Sequence, residues 1–421
     1  MPLLCVDVGS TWTKGALVSP GGELLGTAQH KTTLPEVLDG IDAVVAALGA
    51  AGAEVLACSS AGGGLRLAVV GQERLVSAEA GYRVALSAGA RVVHVSGGPV
   101  DVTRLRDSRP DLVLLVGGTD GGDQRTLLRN AGALAGIGVP IVLAGNVDGR
   151  DEALSLLAGE TVVPTANVLP DVGELDPEPA RAAIRALFLR HVIGGKGLSA
   201  GSRFRSLVRT VTPDAVLTGV SRLAHPRATE DAGAVLVVDV GGATTDVYSA
   251  VSTAAKSKTT VALPADRRTV EGDIGMRWSA PGIVAEALAE RLVSNDSLLA
   301  AAEQRAADVE FLPANAEEAA IDTRLAALAA VLAVRRHLRL VSGNLGPRGA
   351  GLLVLSGGVF RHSSALAEVE DALRTDPVLR PVLRAARITV DRDYVLAPAG
   401  LLSGAGHDAA ADRLVRRLCD G

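Results

Sequence analysis

The sequence predicts an α/β protein made of two halves related by internal duplication. Three observations carry this. An apolar, strand-like run that ends in aspartate, glycine and hydroxyl residues occurs twice, as "LCVDVGSTWTKGALV" over 4–18 and "VLVVDVGGATTDVYS" over 235–249, about half the chain apart. A strand-like run into Gly-Gly and then a helical stretch also occurs twice, at Leu112–Gly122 and Leu352–Ser364. Between these, near-continuous runs of Val, Ile and Leu alternate with helical segments, the pattern of sheets covered on both faces.

Taken in order, strands are expected at 3–8, 15–19, 22–30, 54–58 and 66–71, with helical segments near 35–50 and 79–89. Further strands at 91–95, 111–116 and 140–144 are short, apolar and β-branched. A helix over Glu178–His191 carries proline near its start, where the missing N–H costs nothing. The glycine-rich stretch Ile193–Arg203 reads as a linker or hinge. The second half opens near Phe204 and repeats the α/β alternation, ending in an amphipathic helix near Ala409–Leu418. The expected domains are therefore 1–205 and 206–421.

At 421 residues the chain exceeds one core, and two or three domains are expected. Aromatics are 2%, so the cores must be packed with Ala, Val and Leu. A net charge of −5 gives no electrostatic case for nucleic acid or an anionic membrane. The chain enters a strand at once, without a basic segment before an apolar one, and the apolar stretch Leu325–Val334 is far short of a membrane span. Cys5, Cys58 and Cys419 are scattered without pairing or metal-like spacing. A cytoplasmic, reduced protein is expected.

The repeated hairpin has a chemical reading. A strand–glycine–strand turn presents successive backbone N–H groups as an anion site, and glycine admits a phosphate closely. Two such turns facing each other would hold a polyphosphate between domains. The aspartate at each strand end, Asp7 and Asp239, would then orient the waters of a Mg²⁺ ion, which keeps much of its hydration. No triad or zinc spacing suggests a covalent nucleophile.

These residues carry a resemblance. Asp7-x-Gly9-Ser10-Thr11-x-Thr13-Lys14 resembles the phosphate-1 motif of the superfamily that joins actin, sugar kinases and the heat-shock chaperone ATPases (ASKHA). Asp239-x-Gly241-Gly242-x-Thr244-x-Asp246 resembles its phosphate-2 motif, and Leu355-Ser356-Gly357-Gly358 its adenosine motif. Lys14 follows Asp7 at the offset of actin's phosphate-contacting lysine. Within the superfamily, "SSAGGGLR" (59–66), "GGTDGGDQ" (117–124), "RTVEGDIGMRWSA" (268–280), "LSGGVFRH" (355–362) and "DRDYVLAPAGLL" (391–402) resemble the glutamate mutase accessory protein L (MutL/GlmL) family.

The resemblance implies two actin-like (ribonuclease H-like) domains flanking a nucleotide cleft, with the C-terminal helix returning to the first domain. It implies ATP and Mg²⁺ as cofactors, with the metal held through water by Asp7 and Asp239. Phosphate contacts are expected from Gly9, Ser10, Thr11, Thr13, Lys14, Gly241, Gly242, Thr244 and Thr245, and adenosine over Gly357 and Gly358. Asp239 or Asp246 would align the attacking water, with Asp7 completing the catalytic set. The implied function is a slow ATPase that acts as a reactivating chaperone for an adenosylcobalamin-dependent mutase, whose subunits would be the partners. The same site also suits a kinase for a sugar or carboxylic acid, or a non-hydrolysing scaffold that self-associates as a homo-oligomer.

Other candidates carry a plain alternative. Thr13 and Thr245 also suit a strand for its own sake. Asp120 and Asp123 in "GGTDGGDQ" either cap the next helix or face the cleft. Glu271 and Asp273 are expected in a loop against the nucleotide. Arg335, Arg336 and His337 read as positive charge suited to a helix C-terminus, with adenine contact from that helix as the alternative.

Overall fold

The computed structural model describes residues 1–33, 35–60, 65–73, 76–88, 90–188, 202–225, 233–251, 266–341, 345 and 348–420. The expected linker at 193–203 lies almost wholly outside the described residues, as does the end of the helix expected to reach His191.

Strands β1 (Leu3–Val8), β2 (Trp12–Val18), β3 (Leu24–Lys31) and β4 (Glu54–Ser59) open the chain. Then follow β5 (Arg66–Gly71), β6 (Arg91–Gly97), β7 (Leu112–Leu115), β8 (Ile141–Leu143) and β9 (Val162–Pro164). β10 (Val208–Val211) precedes β11 (Ala234–Val240), β12 (Thr245–Ala250), β13 (Asp266–Glu271), β14 (Ala350–Ser356) and β15 (Arg387–Val390). They form three five-stranded sheets, in the orders β10-β4-β1-β2-β3, β13-β12-β11-β14-β15 and β6-β5-β7-β8-β9.

The first two sheets are the same construction. In each, three consecutive strands form an antiparallel meander, and two later strands add in parallel beside the first. The strand equivalences run β1–β11, β2–β12, β3–β13, β4–β14 and β10–β15. This is the actin-like arrangement, built twice. β1 and β11 are central and covered on both faces, which is why they read as unbroken apolar runs.

Two expectations need correction. Leu112–Gly122 is not the duplicate of Leu352–Ser364: β7 belongs to the third sheet, and β4 is the equivalent of β14. A buried parallel strand running through Gly-Gly into a helix serves any doubly wound sheet, so the pattern did not mark the repeat. The boundary at 205/206 also moves, because β10 lies beyond it yet pairs with β4 of the first sheet. The third sheet, wholly parallel, is thus an insertion between β4 and β10 of the first unit.

Two helices, Thr212–Ala224 and Leu396–Gly404, each follow the last strand of their sheet and cross between the two units. A Cβ at Gly400 would fall 1.8 Å from the Ala215 carbonyl oxygen, and one at Gly219 would fall 2.1 Å from that of Leu396. The crossing therefore tolerates only glycine at both positions. Around it, Leu3, Cys5, Val18 and Cys58 share one apolar layer with Val235, Val237, Val354 and Leu401. The last helix, Asp408–Asp420, adds Ala411, Leu414 and Leu418 to that layer, and Arg413 pairs with Glu23 at 2.6 Å. Cys5 and Cys58 are buried free thiols. Among the described residues, no helix is long and apolar enough to cross a membrane.

Candidate functional site

The hairpins β1–β2 and β11–β12 match residue for residue. Asp7 faces Lys14 and Val8 faces Thr13 in one; Asp239 faces Asp246 and Val240 faces Thr245 in the other. Each turn closes with the same bond, Gly9 N–H to the Trp12 carbonyl at 3.0 Å and Gly241 N–H to the Thr244 carbonyl at 2.9 Å. The tips approach one another: a Cβ on Gly242 would sit 3.6 Å from Thr11 Oγ1. Ser10 is exposed, while Thr11, Gly241, Gly242 and Thr244 are half-buried. Lys14 and Asp246 occupy equivalent positions with opposite charge.

The strand pleat sorts the candidates. Asp7 and Lys14 lie on the face of β1 and β2 that looks toward the second unit, as Cys5 and Ala16 do. Thr13 points the other way, fully buried, with its Oγ1 3.1 Å from Thr32 Oγ1. Thr245 does the same in the second unit, donating to the Ile274 carbonyl at 2.9 Å. Both threonine hydroxyls are spent inside their own units, so the structure does not bring Thr13 or Thr245 to the mouth of the turns.

The two aspartates differ. Asp7 is 3% exposed; its Oδ1 accepts from Thr212 Oγ1 at 2.5 Å and its Oδ2 from the Tyr394 hydroxyl at 2.7 Å. Cys58 Sγ adds a weak donation at 3.6 Å, and burial keeps that thiol protonated. Asp239 keeps a partly open rim. Loss of water around it pushes its pKa up to about 6; Lys14 pulls downward, Asp246 and Asp7 push upward, and a hydrogen bond from Ser356 opposes them. Asp246, half-buried, is tied to the buried Arg268 at 2.5 Å, and its Oδ2 also accepts from Thr244 Oγ1 at 3.3 Å.

Ser356 stands opposite Asp239 across β11 and β14, so Gly357 and Gly358 lie directly past that aspartate. Gly357 takes φ +117°, and a Cβ there would strike the Val240 carbonyl oxygen at 2.3 Å. Gly358 is exposed, with nothing within 4 Å of where a Cβ would be. This is an open backbone floor beside the second turn.

The loop at 272–279 wraps that turn. Met276 N–H and Arg277 N–H donate to the Gly241 and Gly242 carbonyls at 2.9 and 2.8 Å, and Ser279 Oγ donates to the Ala243 carbonyl at 2.9 Å. Arg277 is anchored in turn on Asp322 at 3.0 Å, which also binds the fully buried Arg305. Glu271 is engaged by Arg336, while Asp273 and Trp278 are exposed.

The remaining candidates do structural work. Arg335 pairs with Asp376 at 2.5 Å, and Arg336 holds Glu271, Glu286 and Glu290 together. His337 is buried between Thr269 and Ser249, and desolvation drops its pKa to about 3, so it is neutral. Asp120 accepts from Asn167 Nδ2 at 2.8 Å and Val147 N–H at 3.1 Å, bracing the loop after β7. Asp123 accepts from Arg125 N–H at 3.1 Å at the start of the helix Arg125–Leu134, close to the expected capping role.

Sequence reasoning passed over Tyr394, Thr212, Ser356, Arg268 and Arg277. Ser356 sits inside a motif already singled out, so it was within reach. Thr212 and the two arginines act through contacts far apart in sequence and left no local signal.

A family profile described as "MutL protein" matches residues 3–419. The chain belongs to the MutL protein family. "Protein MutL" of Clostridium tetanomorphum is 34% identical, the match covering 95% of each chain. Solved structures of similar course include an acetone carboxylase in its nucleotide-free state, at 14% identity and TM-score 0.39, covering 90% of this chain and 68% of that one. A ROK family glucokinase from Streptomyces griseus in complex with glucose and AMPPNP matches at 11% identity and TM-score 0.32, over 99% of this chain and 100% of that one. The PilM–PilN type IV pilus biogenesis complex matches at 14% identity and TM-score 0.33, over 99% and 98% respectively.

Proposed function

We propose that this MutL family protein binds Mg²⁺-ATP between its two hairpin turns and hydrolyses it slowly. The accompanying movement of the two units would act on an adenosylcobalamin-dependent mutase of the glutamate mutase type, as a reactivating chaperone. The observation that supports the nucleotide reading is the meeting of two equivalent glycine turns, with Gly242 against Thr11. The Gly9 and Gly241 N–H groups close their own turns, so the backbone N–H groups of Ser10, Thr11 and Gly242, the Thr244 hydroxyl and the Lys14 ammonium would hold the phosphates, with Gly9 and Gly241 admitting them closely. The open floor at Gly357 and Gly358 would take the adenosine.

The donor set fits a hydrated magnesium ion. Among the described residues no three His, Cys, Asp or Glu side chains converge into a metal cage. Mg²⁺ needs none, because it keeps its waters and binds through one or two carboxylates and the phosphates. Asp239 is the carboxylate with capacity to spare, and the ion would supply neutralisation of phosphate charge. Asp7, already holding two hydroxyl donors, acts by position. Asp246 is neutralised by Arg268, so alignment of the attacking water falls to Asp239, whose raised pKa of about 6 suits a proton acceptor near neutrality.

Purified protein, Mg²⁺-ATP and a mutase inactivated by damaged cobalamin make the test. Recovery of mutase activity on adding fresh coenzyme, dependent on ATP hydrolysis, is expected. Phosphorylation of a sugar or carboxylic acid at rates far above hydrolysis would instead establish a kinase.

A further inference from the structure

Tyr394 ties together parts of the site that come from both ends of the chain. It precedes the crossing helix Leu396–Gly404 in the second unit, yet its hydroxyl donates to Asp7 Oδ2 of the first unit at 2.7 Å. The Lys14 ammonium lies 3.8 Å from the centroid of its ring, and Arg361, three residues past Gly358, lies 5.7 Å from that centroid. Its backbone adopts φ +56°. A bulky aromatic residue there is disfavoured and persists only where its surroundings hold it, and such strain gathers at functional positions. Two contacts confine it: Asp391, 1% exposed, caps the backbone N–H groups of Val395 and Leu396 at 2.8 and 3.3 Å, and the Asp7 carboxylate takes the hydroxyl. Asp7, Lys14, Gln29, Arg361, Asp393 and Tyr394 line a common cavity of about 180 Å³.

Resting on the nucleotide reading above, we propose that Tyr394 is a positioning residue: its hydroxyl fixes the Asp7 carboxylate, and its ring holds the Lys14 ammonium until a phosphate takes it. The two roles reside in different atoms and separate by substitution. Ammonium–ring attraction is worth about two- to thirty-fold in occupancy between exposed and desolvated settings. The ring therefore competes with a phosphate for Lys14 and weakens nucleotide binding by a factor in that range. The hydroxyl does not compete. It denies Asp7 alternative rotamers, so its loss spoils alignment without changing how tightly the nucleotide sits.

The full chain, titrated calorimetrically with the Mg²⁺ complex of a non-hydrolysable ATP analogue and assayed for Mg²⁺-ATP hydrolysis, separates these effects. Tyr394→Phe keeps the volume and the ring, so folding is preserved; kcat is expected to fall about tenfold with affinity within twofold of the unmodified protein. Tyr394→Leu removes the ring; affinity is expected to rise about threefold or more, and that gain is expected to vanish in a Lys14→Met background. Unchanged turnover in Tyr394→Phe, or the same gain from Tyr394→Leu with Lys14 already replaced, would overturn the proposal while leaving the nucleotide site standing. Failure of the unmodified protein to bind the analogue at all would overturn both.

Discussion

Asp239 is a carboxylate kept in a place that does not suit a charge. Burial lifts its pKa from the ordinary 3.8 to about 6, so the folded protein binds that proton more tightly than the unfolded chain. Folding stability carried by this group is therefore greatest below pH 4 and is lost as the pH rises through 6. Above pH 6, without nucleotide, the ionised group costs on the order of 1–3 kcal/mol. Asp239→Asn is accordingly expected to raise the midpoint of thermal unfolding at pH 8 by a few degrees, and to leave it nearly unchanged at pH 4. The same substitution is expected to abolish stabilisation by Mg²⁺-ATP. A melting series across pH with and without Mg²⁺-ATP checks both, and a lower midpoint at pH 8 without nucleotide would contradict the assignment. Asp239 was legible because a strand end, a carboxylate and glycines coincide within a few residues. The direction of Thr13 was legible too, from its odd offset to Lys14 along the strand, but residue type outweighed pleat parity in selecting it. Tyr394 was not, since its meaning depends on a hydroxyl meeting Asp7 from the far end of the chain.

At the scale of elements, the crossing of the helices Thr212–Ala224 and Leu396–Gly404 sets the spacing of the two hairpins. With a Cβ at position 400 only 1.8 Å from the Ala215 carbonyl, the helices must separate to admit one methyl group. Gly400→Ala is expected to cost about 1–3 kcal/mol or more in denaturant unfolding, as overpacked sites do, and to weaken nucleotide binding through displaced turns. Unfolding midpoints and analogue titration on the same variant measure the two effects. The central strands of both repeated sheets were readable, because buried strands announce themselves as apolar runs between turn residues, whereas β10, β13 and β15 at the sheet edges were not picked out. Their assignment to sheets was less so. β7 and β14 look alike locally, and hydrogen-bonding neighbours rather than composition decide which sheet a parallel strand joins.

The whole molecule carries its own reporter. Trp12, half-buried, lies at the start of β2 beside the first turn, and Trp278, 60% exposed, lies in the loop wrapped around the second. With Trp278→Phe the remaining indole emission comes from Trp12. It is expected to change and saturate with Mg²⁺-ATP as the two units close, and to stay flat in the Asp239→Asn background. Emission that ignores the nucleotide in a protein shown calorimetrically to bind it would place Trp12 outside the moving region. The inserted third sheet has a further consequence, for how the chain is made. When the segment through β4 has left the ribosome, one edge of that strand is paired with β1, and its other edge waits for β10, some 150 residues later. Long-range pairing of this kind is slow, and an unpaired strand edge is a template for association between chains. The insertion, whose five strands pair only with one another among the described residues, is contiguous and can collapse meanwhile. In the second unit β11 also waits for a later parallel partner, β14, but the described residues between β13 and β14 are helical and hold no inserted sheet. Co-translational assembly thus runs insertion first and first unit next, and the long wait of β4 is the step at which a stalled or truncated chain would aggregate.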